Sequence, residues 1–256
     1  MKITGFLKRS KKHNILLFGG ILVITALILT LLDYRASTVF SQTKKKVPIY
    51  SVDMTEKKVA ITFDTSWGVD NTEEILKVLD RNNVKGTFFL IGVWIDKHPS
   101  QAKEIFNRGH EIGNHSNSHP DMKYISKEKV VQEIAITDAK IMKLTGKGTN
   151  LFRFPSGSYN AEAVAAVEST NHLPIQWDVD SIDWKEYGVD VEYERVINKT
   201  RPGSIILFHN GAKYTPESLD KIIKELKSQG YQFVKVSDLI YKDNYNVDIS
   251  GKQILN

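Results

Sequence analysis

The chain has 256 residues, 41% of them apolar and 25% charged, the proportions of an ordinary globular protein with room for one large domain. Its formal charge of +5 sits at the N-terminus: residues 1–46 hold 9 of the 35 basic and 1 of the 30 acidic side chains, leaving 26 bases against 29 acids and a remainder near −3. That remainder has no basic stripe with interleaved aromatics, which argues against nucleic acid as a partner, and the absence of cysteine excludes disulfides, thiolate metal sites and thiol nucleophiles.

Residues 15–32 form an apolar run broken only by Gly19, Gly20 and two threonines. At about 1.5 Å per residue it would extend roughly 27 Å as a helix, close to the thickness of a bilayer core. Lys2, Lys8, Arg9, Lys11 and Lys12 precede it, the flank expected on a cytoplasmic side. The expectation is a basic arm over 1–13, a membrane-spanning anchor over 14–32, a polar stalk over 33–54, a folded domain over 55–240 and a short tail over 241–256. The domain would then stand outside the cytoplasm on a single-pass membrane protein.

From Lys58 onward short apolar or β-branched runs alternate with helical periodicity. The runs 59–63, 84–91, 111–114, 151–154, 173–179, 204–208 and 233–236 suit buried parallel strands. Between them, 72–82 places Ile75, Leu76, Val78 and Leu79 at helical spacing, and 126–144 carries Val130, Val131, Ile134, Ile141 and Leu144 on one stripe. Thr215, Pro216 and Glu217 offer a helix start, and Gly230 a stop after the periodic segment 219–226. About seven strand–helix alternations predict an α/β barrel or a doubly wound sheet.

In parallel α/β folds chemistry gathers at the C-terminal strand ends, so polar residues that close an apolar run are the candidates. Five segments qualify: Asp64 closing Ile61-Thr62-Phe63, His115-Ser116-Asn117-Ser118-His119, Arg153-Phe154-Pro155-Ser156-Gly157, Asp180-Ser181-Ile182-Asp183-Trp184, and Ile205-Ile206-Leu207-Phe208-His209. The spacing of His115 and His119 lets both imidazoles face one metal ion. Singly, Asp64 and Asp183 would serve equally well as helix or turn caps, Arg153 as a surface cation and His209 as a core histidine. Trp67, Trp177 and Trp184 are expected in the core, although Trp184 would also suit one wall of a sugar groove.

The order and content of these segments resemble the polysaccharide deacetylases of carbohydrate esterase family 4, which share the NodB-homology domain, over roughly residues 55–240. Phe-Asp-Thr-Ser-Trp-Gly at 63–68, with the N-terminal anchor, looks closest to the PdaB-like sporulation branch of that family. The resemblance implies a distorted (β/α) barrel of about seven parallel strands and metal-assisted removal of N-acetyl groups from peptidoglycan or a related N-acetylglucosamine polymer of the cell wall. It implies His115 and His119 as ligands of a divalent ion, zinc by preference; Asp64 as general base; His209 as general acid; and Arg153 and Asp183 as their partners. Ser156, Tyr159, Trp184 and Leu207 would contact substrate, Ser156 through its backbone N–H and Leu207 at the acetyl methyl.

One position breaks the pattern. The family's first motif carries two adjacent aspartates, the second a metal ligand, and here the second position is Thr65. Thr65 itself, Asp70 five residues further on, or water or substrate could complete the shell. Alternatively the chain keeps the fold as a glycan-binding pseudoenzyme.

Overall fold

The structure, a computed structural model, describes residues 24–30, 46–65 and 70–256. Of the expected anchor, residues 24–30 are helical and the rest lies outside the described residues. Seven residues at about 1.5 Å each give roughly 10 Å, a third of a bilayer core. Among the described residues no helix is long and apolar enough to cross a membrane, so the spanning helix over 14–32 is not supported.

The strands are β1 (Ser51–Val52), β2 (Lys58–Asp64), β3 (Thr87–Leu90), β4 (Glu111–Asn114), β5 (Leu151–Phe152), β6 (Leu173–Pro174), β7 (Val179–Asp180), β8 (Ile205–His209), β9 (Gln232–Phe233), β10 (Tyr245–Val247) and β11 (Lys252–Leu255). Seven of them pair in the order β6-β5-β4-β3-β2-β8-β7, every neighbour parallel, while β9 pairs with the first two residues of β2. The ends of this path, β6 and β7, do not pair with each other, so the sheet is a half-barrel.

Burial explains the strand sequences. From Val59 to Asp64 every residue of β2 is buried, because neighbours flank it on both edges and other elements cover both faces. The helix Thr72–Arg81 buries Ile75, Leu76, Val78 and Leu79 against the sheet and carries its charges outward. The helix Lys127–Thr145 starts where the Ser126 hydroxyl accepts from Lys129 N at 3.3 Å, and stops at Gly146, whose φ of 70° is a left-handed value that glycine adopts freely.

The apolar run 173–179, expected as one strand, is two. Residues 173–174 pair with β5 and residues 179–180 with β8, so the segment between them crosses the open side of the half-barrel. The crossing is pinned by hydrogen bonds. Asp178 accepts from Ile205 N at 2.9 Å and Ser204 Oγ at 3.0 Å, and the Gln176 carbonyl accepts from Arg153 Nη2 at 3.1 Å. Residues 236–239, expected partly as strand, form a helical turn.

The compact unit of the C-terminal part runs from Lys46 to Asn256. Residues read as stalk and tail contribute structure to it: β1 pairs with β11, β11 with β10, and Ile49 bridges Ile175 on the crossing segment.

Candidate active site

The C-terminal ends of β2, β4, β5, β7 and β8 open into one cleft of about 460 Å³. Asp64, Thr65, His115, His119, Ser156, Trp184, Leu207 and His209 line it together with Ile91, Trp177 and Asp180. Thus residues separated by up to 145 positions along the chain meet because parallel strands end at one mouth. Pairing puts Asp64 directly beside His209 in the register of β2 and β8.

Asp64 is 4% exposed. Its Oδ1 accepts from Arg153 Nη1 at 2.8 Å, and its Oδ2 lies 3.4 Å from His115 Nε2. Arg153 is wholly buried: Nη1 also donates to Thr62 Oγ1 at 2.8 Å, and the guanidinium stacks 4.0 Å from the Phe89 ring centre. Burial acts to raise the Asp64 pKa, but the charges of Arg153, His115 and His209 outweigh it and hold the carboxyl below its ordinary range.

His115 Nδ1 donates to the Arg153 carbonyl at 2.9 Å, which fixes the tautomer and leaves the Nε2 lone pair facing the cleft. Burial lowers its pKa to about 4, and burial likewise lowers that of His119, so both rings are neutral donors at neutral pH. Their centroids are 5.1 Å apart at 75°. The turn that brings His119 back beside His115 is tight: Ser116 and His119 have φ of 65° and 59°, and Ser116 Oγ accepts from His119 N at 3.0 Å.

Glu133 organises this turn and was not singled out by sequence. It is 1% exposed and accepts from Asn117 N at 3.0 Å, Ser118 N at 2.7 Å and Ser118 Oγ at 3.0 Å. The available signal was a carboxylate on the buried stripe of its helix, between Val130 and Ile134.

His209 and Asp183 form the opposite wall. Asp183 is fully buried and accepts four hydrogen bonds: His209 Nδ1 at 2.8 Å, His209 N at 2.6 Å, Trp184 N at 2.8 Å and Thr215 Oγ1 at 2.8 Å. Burial acts to lower the His209 pKa, but the hydrogen bond and charge of Asp183, with the charges of Asp64 and Asp180, prevail and raise it. Leu207 is 2% exposed, Trp184 is 57% exposed, and Ser156 adopts a strained φ of 53°.

Three expectations fare differently. Tyr159 is not among the residues lining the cleft; its hydroxyl meets that of Tyr50 at 3.0 Å and its ring packs on Phe154. Trp177, expected in the core, lines the cleft, whereas Trp67 lies outside the described residues. Asp70 is committed elsewhere: its Oδ1 accepts from Thr72 N at 3.0 Å, from the Thr72 hydroxyl and from Asn210 Nδ2 at 3.1 Å, and its Oδ2 faces His98 Nδ1 at 3.3 Å.

The fit of a divalent ion follows from this donor set. Two neutral imidazoles, one with its outer nitrogen fixed by a carbonyl, suit zinc. Thr65 adds no carboxylate, and its hydroxyl accepts from Ile91 N at 2.9 Å with the Phe89 carbonyl at 3.5 Å. Among the described residues no group of three or more histidine, aspartate or glutamate side chains is arranged to hold a metal. The site therefore fits an ion through two protein ligands, one fewer than is usual for catalytic zinc.

A parallel half-barrel whose strand ends hold a buried carboxylate, an acid-paired imidazole and two further imidazoles defines a class of hydrolases, and comparison with known proteins places the chain in it. Residues 51–175 match the family model Polysaccharide deacetylase. The chain is 34% identical over 212 residues to a peptidoglycan-N-acetylglucosamine deacetylase of Bacillus cereus, covering 81% of this chain and 77% of that protein. It is 32% identical over 191 residues to the peptidoglycan-N-acetylmuramic acid deacetylase PdaA of Bacillus subtilis, covering 73% of each. Among solved structures, a carbohydrate esterase family 4 pseudoenzyme from Bacillus anthracis superposes with a TM-score of 0.72 at 37% identity, over 75% of this chain and 68% of that one. A mutant of that protein, described as having restored enzymatic activity, matches equally well at 38% identity. The chain belongs to the polysaccharide deacetylase family, hydrolases acting on carbon–nitrogen bonds other than peptide bonds.

Proposed function

We propose that the chain removes acetyl groups from N-acetylated sugars of peptidoglycan, acting outside the cytoplasm where that polymer lies. The observation that carries this reading is a pair of titrating groups in one cleft whose environments push them apart. Arg153, bonded to Asp64 at 2.8 Å, shifts that carboxyl toward its ionised form, and Asp183, bonded to His209 Nδ1 at 2.8 Å, shifts the imidazole toward its protonated form, the directions a base and an acid need.

His115 and His119 would hold a divalent ion, zinc by preference, which when bound supplies Lewis-acid polarisation of the acetamide and lowers the pKa of water. Asp64, oriented by Arg153, accepts the proton of the attacking water through its Oδ2 face. The backbone N–H of Ser156, at the rim of the cleft, donates to the oxyanion that develops on the acetamide oxygen. His209 then delivers its Nε2 proton to the sugar nitrogen, which leaves as an amine because an amide anion is far too basic. Asp183 holds the imidazolium through Nδ1, and Leu207 offers the acetyl methyl an apolar wall. The likeness of 63–68 to the sporulation branch motivates a place in spore-wall modification, measured by the acetylation of spore peptidoglycan in a deletion strain.

The test is acetate release from N-acetylglucosamine oligomers and peptidoglycan by the full chain supplied with zinc or cobalt. Release by wild type and its loss in Asp64→Asn are expected. Equal release by Asp64→Asn would remove the proposed base.

Thr65 motivates a second reading, glycan binding without turnover, since its hydroxyl is engaged by the main chain. The similar Bacillus anthracis protein is itself described as a pseudoenzyme. On that reading Asp64→Asn keeps the cellular role, and loss of the role on this near-isosteric change would sink it.

A further inference from the structure

The segments on either side of the motif-bearing strands meet at Tyr50. Its N–H donates to the Gly251 carbonyl at 2.8 Å, and β1, which follows it directly, pairs with β11. The Tyr50 ring packs against Gly251 so closely that a Cβ there would stand 2.3 Å from Tyr50 Cδ2, and glycine also supplies the φ of 84° that this turn takes. The C-terminal hairpin thus fixes where the ring lies. Its hydroxyl reaches across to the hydroxyl of Tyr159 at 3.0 Å.

From Tyr159 the contacts lead into the cleft. Its ring packs on Phe154 with centroids 5.3 Å apart, and between these two residues runs the turn that carries Ser156. Within that turn the Phe154 carbonyl accepts from Gly157 N at 3.0 Å and the Pro155 carbonyl from Ser158 N at 3.0 Å. Ser156 and Gly157 have φ of 53° and 65°, and a serine in the left-handed region persists only where its surroundings hold it there. The neighbouring Ile49 holds the facing wall. Its N–H donates to the Pro174 carbonyl at 2.8 Å and its carbonyl accepts from Gln176 N at 2.7 Å, which leads directly into Trp177. Trp177 Cη2 lies 3.1 Å from the place a Cβ on Gly157 would take, so turn and wall are in close register. Ser156 and Trp177 line the cleft whereas Ile49 and Tyr50 do not, so the latter two act on the site through the former.

We propose that Tyr50 is a positioning residue of the active site: the Tyr50–Tyr159 hydroxyl bond clamps the turn 154–158, and with it the Ser156 N–H, against the Trp177 wall. What that N–H does rests on the proposed reading of the cleft; the clamp adds that chain ahead of and behind the motif segments belongs to the catalytic unit. A donor aimed at a developing oxyanion works by being in place before the charge forms, so a turn left free to move costs rate more than substrate affinity. Tyr50→Phe isolates the effect, because it keeps the ring against Gly251 and removes the hydroxyl alone.

The experiment joins amide hydrogen exchange to kinetics on the full chain, comparing wild type with Tyr50→Phe, Tyr159→Phe and the double variant. Each single variant is expected to exchange the Gly157 and Ser158 amides about tenfold faster while β2 and β8 keep wild-type protection. For acetate release from an N-acetylglucosamine tetramer by the zinc-supplied chain, each should lower kcat about tenfold and leave KM within about twofold. The double variant should be no worse than either single, since the two hydroxyls make one bond. Wild-type protection at 157 and 158 in Tyr50→Phe, faster exchange spread evenly over β2 and β8, or single effects that multiply in the double would each overturn the proposal. The two readings fail separately. No acetate from wild type, with the local exchange difference intact, sinks the deacetylase reading alone; acetate release at wild-type kcat by Tyr50→Phe sinks the positioning role alone.

Discussion

Replacing Arg153 by methionine removes the only fully buried cation beside Asp64 among the described residues while filling much of its volume. The guanidinium supplies a 2.8 Å hydrogen bond to Asp64 Oδ1, another to Thr62 Oγ1 and a third to the Gln176 carbonyl. Breaking a buried ion pair on one side leaves the other charge uncompensated, a loss of roughly 3–5 kcal/mol. For a domain of this size each kcal/mol moves Tm by about 2–4 °C, so Arg153→Met should melt about 6–20 °C lower. The pH dependence should also weaken. In wild type the depressed Asp64 pKa adds stability that is fully present above the unfolded carboxylate value and is lost as pH falls through the folded one. Without Arg153 the first of the influences that lower the Asp64 pKa is gone and burial is less opposed, so the folded pKa moves upward and the loss of stability on acidification shrinks. Thermal unfolding between pH 3 and 8 measures both effects. Adding Asp64→Asn to Arg153→Met should recover about half or more of the loss, because the uncompensated charge is gone. An unchanged Tm in the single variant, or a double variant no more stable than it, would refute the reasoning.

Asp183→Asn should lower the His209 pKa, since the hydrogen bond to a charged carboxylate and its charge are lost while burial still acts; an NMR titration of the His209 ring checks it, and an unchanged titration contradicts it. Glu192 is 1% exposed, bonded to Ser218 Oγ at 2.5 Å, and burial raises its pKa to about 7. Its raised value removes stability as pH climbs from the unfolded carboxylate value through about 7, so Glu192→Gln should gain on the order of 3 kcal/mol relative to wild type at pH 8 and little at pH 4. Denaturant unfolding at the two pH values measures that difference. Thr65→Asp places a carboxylate beside the two imidazoles, and after dialysis the variant should retain one zinc per chain where wild type retains less; equal metal content by mass spectrometry contradicts the two-ligand account.

Much of this was legible because parallel strands buried on both faces leave near-continuous apolar runs, and the polar residue that ends each run marks the mouth. The run 111–114 coincides with β4, and Asp64, His115, His119 and His209 follow from where the apolar residues stop. The run 173–179 misled because Ile175 and Gln176 in its middle are as buried as strand residues; Ile175 is buried through a bridge to Ile49, a partner more than a hundred residues away. Pro174 was the available warning, since proline sits poorly inside a strand with neighbours on both edges. Tyr159 left the cleft for a similar reason. Its partner Tyr50 belongs to a stretch that reads as linker, and nothing local announces that 46–52 folds into the unit. The tail looked structureless because it is polar, yet Gln253 is fully buried and exchanges two 2.8 Å bonds with the Tyr241 main chain. Glu133 shows the same limit from inside a helix: a buried carboxylate is understandable only once the N–H groups of 117 and 118 are seen to converge on it.

The most direct measurement is of product on the polymer itself. Purified peptidoglycan incubated with the zinc-supplied full chain should gain free glucosamine or muramic amines in a one-to-one ratio with acetate appearing in solution. A folded protein that binds the polymer yet yields neither amine nor acetate would contradict the hydrolytic account.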